Sequence, residues 1–383
     1  MDKSKCLLLG LTASTLCSEV AATTNNNFNK FGIGVYGGSY VGLTVAPQLP
    51  WARNLTGRGG RVLLYVGMSF AKNGNVSSCT AGCVPSAEDA AAVNQAYAMG
   101  LRPVVRLGQW PRTIRDFSDD ADHLVYASLA RAYRSFAAAL PLPPDGTSAL
   151  EIQVLNEINT DVEWQCSGEG RISTNDTAAE VAGCVRDILV ALRPLPRLLL
   201  SVFPTAYTGP ATYPCVANVN GTHDHVNFTK ATDIAFMAKM LHAVPDLYTH
   251  ADFFNSHPYP FHHEPFSSPL GRAGVVHYRA QLNASGRPTL PVLITETGWR
   301  EMSGAALAKS VVAALTEEWL PDARVASVMP FLLSAGGASR FAQESLPWVV
   351  WPNATAAAAA PVATLQYNAT RALRCRLGVG GSC

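Results

Sequence analysis

Charge is what this chain has least of. Asp, Glu, Lys and Arg make up 15% of its residues, against about a quarter in an average soluble domain. With a formal net charge of +1, no broad electrostatic field draws it to nucleic acid or to an anionic membrane. Long apolar runs are missing too. No segment approaches the roughly twenty apolar residues of a membrane span, and no hydrophobic tail offers itself as a lipid-anchor signal. No Gly-x-Gly-x-x-Gly follows the first strand-like run, so a doubly wound open sheet lacks its usual support.

What is present is an alternation. Apolar, β-branched runs of four to eight residues are separated by longer stretches of helical periodicity, the pattern of βα units around a parallel sheet. The strand-like runs are Phe31–Gly37, Val62–Gly67, Pro103–Leu107, Leu150–Leu155, Arg197–Phe203, Phe253–His257, Val292–Thr295 and Val325–Leu333. Helical patterns fall at Glu88–Met99, His123–Leu140, Thr177–Leu192, Thr232–Ala243, Gly274–Leu282, Gly304–Trp319 and Val362–Leu373. Ser86 ahead of Glu88 and Asp89 reads as an N-cap, and Gly100 falls where the same helix should stop. The first crossover, Ser39 to Gly60, is rich in proline and glycine and promises little helix. Eight strands with about eight crossovers fit a single-domain (β/α)8 TIM barrel, here spanning residues 28–376. A short tail, 377–383, follows it.

Two of the strands end in an acid. Leu150-Glu-Ile-Gln-Val-Leu-Asn156-Glu157 and Pro291-Val-Leu-Ile-Thr-Glu296-Thr-Gly-Trp299 each deliver a glutamate from a buried strand. One such glutamate alone reads best as a cap or an ion-pair partner. Two on one rim are the equipment for glycosidic cleavage, where one acid protonates the leaving oxygen and the other meets the cationic sugar carbon. Five of the seven tryptophans fall after strands 3, 4, 7 and 8, at positions 110, 164, 299, 348 and 351. Loop tryptophans often pin loops to a barrel, but as a set on one rim they suggest platforms for the apolar face of a sugar. Trp319, at the end of a helix, reads as core.

Asn156-Glu157 closing strand 4, His257-Pro-Tyr259 closing strand 6 and Thr295-Glu296-Thr-Gly-Trp closing strand 7 together resemble the retaining (β/α)8 glycoside hydrolases of clan A. The resemblance covers Phe31 to Leu373, and its motifs are specific as a combination rather than singly. It implies Glu157 as general acid/base, Asn156 as partner of the sugar 2-hydroxyl and Glu296 as nucleophile. It also places Tyr259, and less directly His257, against that nucleophile. The usual tryptophan ending strand 8 is absent from Val328-Met-Pro-Phe-Leu-Leu-Ser334, so Trp348 or Trp351 would have to stand in. The usual arginine near the end of strand 2 is also absent, and Arg106 on strand 3 would supply a similar charge. Trp164, Trp299, Trp348 and Trp351 complete the expected sugar-binding set. No metal or organic cofactor is needed, and the expected partner is a carbohydrate, met by a monomer. A catalytically silent carbohydrate-binding barrel and a transglycosylase using the same site are the alternatives.

Eight Asn-x-Ser/Thr sequons occur, at Asn54, Asn75, Asn175, Asn220, Asn227, Asn283, Asn353 and Asn368. Chance would give roughly two if about one residue in eight is Ser or Thr, so the excess suggests a secreted glycoprotein. All eight are expected in loops or on helix flanks. Residues 1–22, with Lys3 and Lys5 before the apolar run Cys6–Cys17 and then Val20-Ala-Ala22, read as a signal peptide. Seven cysteines follow it. In an oxidising compartment neighbours in sequence would pair as Cys79–Cys83, Cys166–Cys184 and Cys375–Cys383, leaving Cys215 over. A zinc site from His223, His225, His257, His262 and His263 lacks ligands on enough strand ends. A phosphate site in Ser334-Ala-Gly-Gly-Ala-Ser339 fits a secreted glycoprotein poorly, and the stretch reads as a flexible loop.

Overall fold

The computed structural model describes residues 29–37, 42–67, 84–108, 118–122, 124–159, 174–206, 232–261, 264–299, 302–335, 347–351 and 360–381. Eight parallel strands run in chain order: β1 (Gly32–Val35), β2 (Arg61–Gly67), β3 (Arg102–Gly108), β4 (Leu150–Val154), β5 (Leu198–Ser201), β6 (Phe254–Ser256), β7 (Val292–Ile294) and β8 (Val325–Val328). Strands β1 to β5 form one continuous sheet and β6 to β8 a second. Isolated parallel bridges join them at both seams, Ser201 with Phe253 and Phe31 with Val328. Backbone bonds reinforce each seam, Asp252 N–H to Leu200 O (2.7 Å) on one side and Val328 N–H to Lys30 O (2.9 Å) on the other. The ring is therefore complete, and the fold is a (β/α)8 barrel.

Two apolar layers follow from the strand alternation. Inside the ring, Leu63, Val104, Phe253, Leu293 and Met329 meet one another. Outside it, the opposite faces of the same strands pack against the helices. In α3 (Ala127–Ala138), for example, Leu129, Tyr133 and Phe136 are buried at helical spacing. Each fully buried side chain of this size stabilises the fold by about 1.5–3 kcal/mol. Gly32, Gly34 and Gly37 do have the spacing of a dinucleotide fingerprint. They lie in and just after β1 rather than in a turn opening a helix, and their role is steric. A Cβ on Gly32 would stand 2.4 Å from the Met329 side chain, and one on Gly34 2.9 Å from the Tyr36 ring.

The remaining helices are α1 (Leu49–Thr56), α2 (Ala87–Ala98), α4 (Thr174–Leu192), α5 (Thr232–Ala243), α6 (Pro269–Val275), α7 (Tyr278–Ala284), α8 (Gly304–Ala314) and α9 (Leu365–Arg376). Several differ from the sequence expectation. The first crossover does hold a helix, because Pro47 and Pro50 fall in the first turns of a 3-10 segment and of α1, where no N–H is needed. The pattern Gly274–Leu282 divides into α6 and α7, and Ser268 caps α6 by accepting from Gly271 N–H (3.0 Å). Val325–Leu333 is not one strand. The regular ladder stops at Val328, and Met329–Leu333 stay bonded to the β7 and β1 segments irregularly (Met329 N–H to Ile294 O 2.7 Å, Leu333 N–H to Gly34 O 2.8 Å). Ser334–Ala335 then pairs with Val349–Val350, which in turn pairs with Val362–Ala363. That last pair occupies the start of the expected final helix, so α9 begins at Leu365. Ser86 caps α2 as expected, accepting from Asp89 N–H (3.0 Å).

Cys184 corrects the expected pairing, for it is a free thiol buried in α4, where neighbouring side chains rather than a partner cysteine surround it. Cys375 is disulfide-bonded, to a cysteine outside the described residues. The sequons at Asn54, Asn283 and Asn368 are exposed, though they lie within α1, α7 and α9 rather than beside helices. Among the described residues no helix is long and apolar enough to cross a membrane.

Candidate active site

Every strand delivers its C-terminal end to the same rim, and five of them bring functional groups together there. The backbone after β4 turns sharply, with Leu155 at φ +62° and Glu157 at φ +31°. A positive φ in a residue with a side chain costs on the order of 1–3 kcal/mol and recurs at functional sites. This turn carries the half-buried Asn156 and Glu157 onto the rim. On the opposite side β7 runs into Thr295 and Glu296, both buried.

Glu296 is held from three directions. Arg106, on β3, donates from Nη1 to Glu296 Oε1 at 2.6 Å. The Tyr36 hydroxyl donates to the same oxygen (2.9 Å), and Arg106 Nη1 also reaches the Tyr36 oxygen (3.2 Å). Tyr259 donates to the other oxygen, Oε2, at 2.9 Å. Burial pushes the Glu296 carboxyl up. His257, when it is cationic, Arg106 and the hydrogen bonds of Arg106 and Tyr36 outweigh that, and hold it at about 2. Burial and the charges of Glu296 and Glu157 push the Tyr259 hydroxyl well above its ordinary value, so it stays a donor.

His257, fully buried just after β6, lies between the two acids. Its Nδ1 is 2.6 Å from Glu157 Oε1 and 3.7 Å from Glu296 Oε2. Its Nε2 meets Thr295 Oγ1 at 3.1 Å and Arg106 Nη2 at 3.4 Å. Ligand-type atoms of Glu157, His257 and Glu296 all lie within 4.8 Å of one another. Such a trio has the composition of a metal site, but both Glu296 oxygens already accept hydrogen bonds. A cation there would also sit against the Arg106 guanidinium, so the donor set does not fit a metal well.

The structure thus brings together Glu157, Glu296, His257, Tyr259 and Arg106, with Asn156 preceding Glu157 on the same turn. The tryptophans divide differently. Trp164, like Trp110, lies outside the described residues, as do His223, His225, His262 and His263. Trp299 is 1% exposed, with its indole N–H donating to Glu264 O (2.9 Å), and Trp348 is 4% exposed. Neither offers a ring face to a sugar, which corrects the expectation for both. Both belong to the buried apolar cluster outside the ring, with Leu307 and Trp319. Trp351 is half-buried and lines a separate cavity of about 240 Å³ with Leu307, Pro347 and Leu365.

Two residues escaped the sequence reading. Tyr36 could have been found as a hydroxyl immediately beyond a strand end. Its carbonyl accepts from Gln48 Nε2 (2.7 Å), and Gln48 in turn accepts from Ser334 (2.6 Å), so the end of β1 is tied to the chain beyond β8. Thr295 carried no signal of its own beside the glutamate.

No protein-family model matches the sequence, and no curated protein does. Solved structures do match in fold. A monomeric β-xylosidase from Caulobacter crescentus CB15 is 15% identical with a TM-score of 0.53, over 91% of this chain and 68% of that one. A glucosidase from Croceicoccus marinus is 13% identical with a TM-score of 0.53, over 92% and 68%. A triple variant of an endo-β-1,4-glucanase from Xanthomonas axonopodis pv. citri is 14% identical with a TM-score of 0.52, over 91% and 99%. At these identities the likeness is one of fold, the (β/α)8 barrel that these enzymes also have.

Proposed function

We propose that this chain is a retaining glycoside hydrolase that cleaves β-linked O-glycosidic bonds of glucan- or mannan-type saccharides by double displacement. The observation that carries the reading is one buried glutamate held ionised, with a second glutamate and a histidine within 4.8 Å, at the ends of β7, β4 and β6. Retention needs carboxyl groups about 5–5.5 Å apart, whereas inversion needs about 6.5–9.5 Å to admit a water. The spacing favours retention. The three similar folds, a β-xylosidase, a glucosidase and an endo-β-1,4-glucanase, point the same way at the level of architecture.

In this reading Glu296 attacks the anomeric carbon while Glu157 protonates the departing oxygen. Among the described residues, Glu296 Oε1 accepts from both Arg106 and Tyr36, and Oε2 accepts only from Tyr259. Oε2 is therefore the oxygen left with electron density to form the bond. Water, deprotonated by Glu157, then releases the sugar with its configuration retained. Glu296→Ala should show no measurable turnover. Glu157→Ala should lose about 10²–10⁴-fold on poor leaving groups yet still be glycosylated by dinitrophenyl glycosides. Azide should rescue Glu157→Ala with retention and Glu296→Ala with inversion, read by NMR of the glycosyl azide. The opposite pattern, or an inverting wild type, rules the mechanism out.

We further propose that the protein is secreted and N-glycosylated. The excess of sequons and the exposure of Asn54, Asn283 and Asn368 support this. Treatment with an N-glycan amidase should increase gel mobility, and no shift together with an N-terminus at Met1 would refute it.

A further inference from the structure

The close contact between Glu157 and His257 poses a chemical problem. In water a carboxylic acid of pKa about 4.3 gives its proton to an imidazole of pKa about 6.5. At 2.6 Å the pair would then rest as carboxylate and imidazolium, and Glu157 would have no proton to donate. We propose that Arg106 and Thr295 fix His257 as the neutral imidazole protonated on Nδ1, and so keep the mobile proton on Glu157.

The argument starts at the far nitrogen. Arg106 Nη2 is 3.4 Å from His257 Nε2, and a guanidinium can only donate. Nε2 must therefore present its lone pair. The Thr295 hydroxyl, 3.1 Å away, can donate or accept and so donates to the same nitrogen. A proton on Nε2 would set N–H against N–H and add a second cation beside Arg106, both side chains being buried. Other charged and titratable groups also face the ring. Glu296 Oε2, 3.7 Å from Nδ1, favours the imidazolium. Arg106, at a similar distance, opposes it with comparable strength. Tyr259 stands edge-on with its centroid 6.4 Å away and, as a neutral phenol, adds little. The charges of Glu296 and Arg106 nearly cancel, and a buried Glu157–His257 ion pair at 2.6 Å gains little over the neutral pair once its desolvation is counted, so the directional contact at Nε2 decides. Nδ1 then carries the hydrogen and donates to Glu157 Oε1, which leaves Oε2 as the oxygen bearing the acidic proton. Thr295 and Arg106 are in this respect positioning residues acting on Glu157 through His257.

The catalytic consequence rests on the glycosidase reading, but the tautomer does not. Long-range ¹H–¹⁵N correlation spectra of ¹⁵N-histidine-labelled protein report it directly, with His257 assigned among the nine histidines by its loss in His257→Gln. The expected result is the neutral Nδ1–H form from pH 5 to 8, and an imidazolium or an Nε2–H tautomer at pH 7 overturns the proposal. Thr295→Val should let His257 take the proton. On substrates with poor leaving groups kcat/KM should then fall roughly tenfold, the scale of one lost hydrogen bond, while dinitrophenyl glycosides are nearly spared. The alkaline limb should move to higher pH, because the last proton of the pair now leaves the more basic histidine. A purely structural defect would lower both substrate classes without moving the limb, and that result also overturns the proposal. Thr295→Ser, which keeps the hydroxyl, should restore wild-type behaviour. If the spectrum is as expected and no glycoside is cleaved, the glycosidase reading fails and the tautomer assignment stands.

Discussion

The barrel holds two buried charge clusters, one at each end, and their distances are nearly the same. At the N-terminal end Arg61 donates to both oxygens of Glu151 (2.7 and 3.0 Å), and Arg102 adds a third bond at 2.6 Å. Arg61 also spends Nη1 on Ala326 O across the ring. At the C-terminal end Arg106 meets Glu296 at 2.6 Å and His257 meets Glu157 at 2.6 Å. Bond length does not separate a staple from a reactive site here. Stoichiometry does: two arginines surround one carboxylate below, whereas one arginine and a histidine face two carboxyl groups above. The lower cluster carries more positive than negative charge and calls for no added proton, whereas the upper one is balanced only when a proton resides on its Glu157–His257 pair.

The largest effect that sharpens this contrast is on stability. Glu151→Ala leaves Arg61, 2% exposed, without its counter-charge, and an arginine cannot shed its proton to escape. Removing one partner of a buried pair costs about 3–5 kcal/mol. Denaturant unfolding should show that loss, while activity per folded molecule stays close to wild type. Lost activity at unchanged stability would mean that the lower cluster is no staple.

Next comes Arg106→Met, the corresponding cut at the upper end. Here the stranded group can respond, because Glu296 can take up a proton. The folded carboxyl lies at about 2, below the ordinary value near 4.3. That difference stabilises the fold above the unfolded pKa and is lost as pH falls toward 2. Without Arg106 the carboxyl rises, so the acidic limb of kcat/KM should move to higher pH. Activity at neutral pH should fall by about 10²–10³, the scale of one preorganised electrostatic partner. Stability should fall less than in Glu151→Ala, and an equal or greater loss would break the comparison.

How these clusters arise was only partly legible in the sequence. Both glutamates could be read from strand ends because an apolar run that stops at an acid has a fixed address in a barrel. Arg106 was named only as a stand-in for the arginine that the resemblance places near the end of strand 2. Trp299 and Trp348 were misjudged because a sequence gives the rim but not the direction a ring faces. Trp299 and Trp348 turn back onto α8, where apolar neighbours were available. Strand 8 was read too long because Met329 to Leu333 stays apolar and bonded to its neighbours after the regular ladder ends, filling the inner core before the chain joins a small outer sheet. Tyr36 and Thr295 went unnoticed because their roles depend on partners far away in sequence, 260 residues in the case of Tyr36 and Glu296.

Tyr36 gives the smallest and most discriminating test of the upper cluster. Its hydroxyl shares Glu296 Oε1 with Arg106, so Tyr36→Phe removes one donor from an oxygen that keeps its ion pair. A hydrogen bond to a charged group contributes about 1.5–3 kcal/mol, although the remaining guanidinium should hold the loss near the lower figure. The change should therefore cost roughly tenfold in kcat/KM. Because the lost bond stabilises the ionised form, the acidic limb should again move up, by less than in Arg106→Met. The ring stays over Gly34 and against Phe331, so unfolding should be almost unchanged. If Tyr36→Phe moved the limb as far as Arg106→Met does, the hydroxyl rather than the arginine would be what balances the site, and the count of charges would not be what distinguishes the two ends.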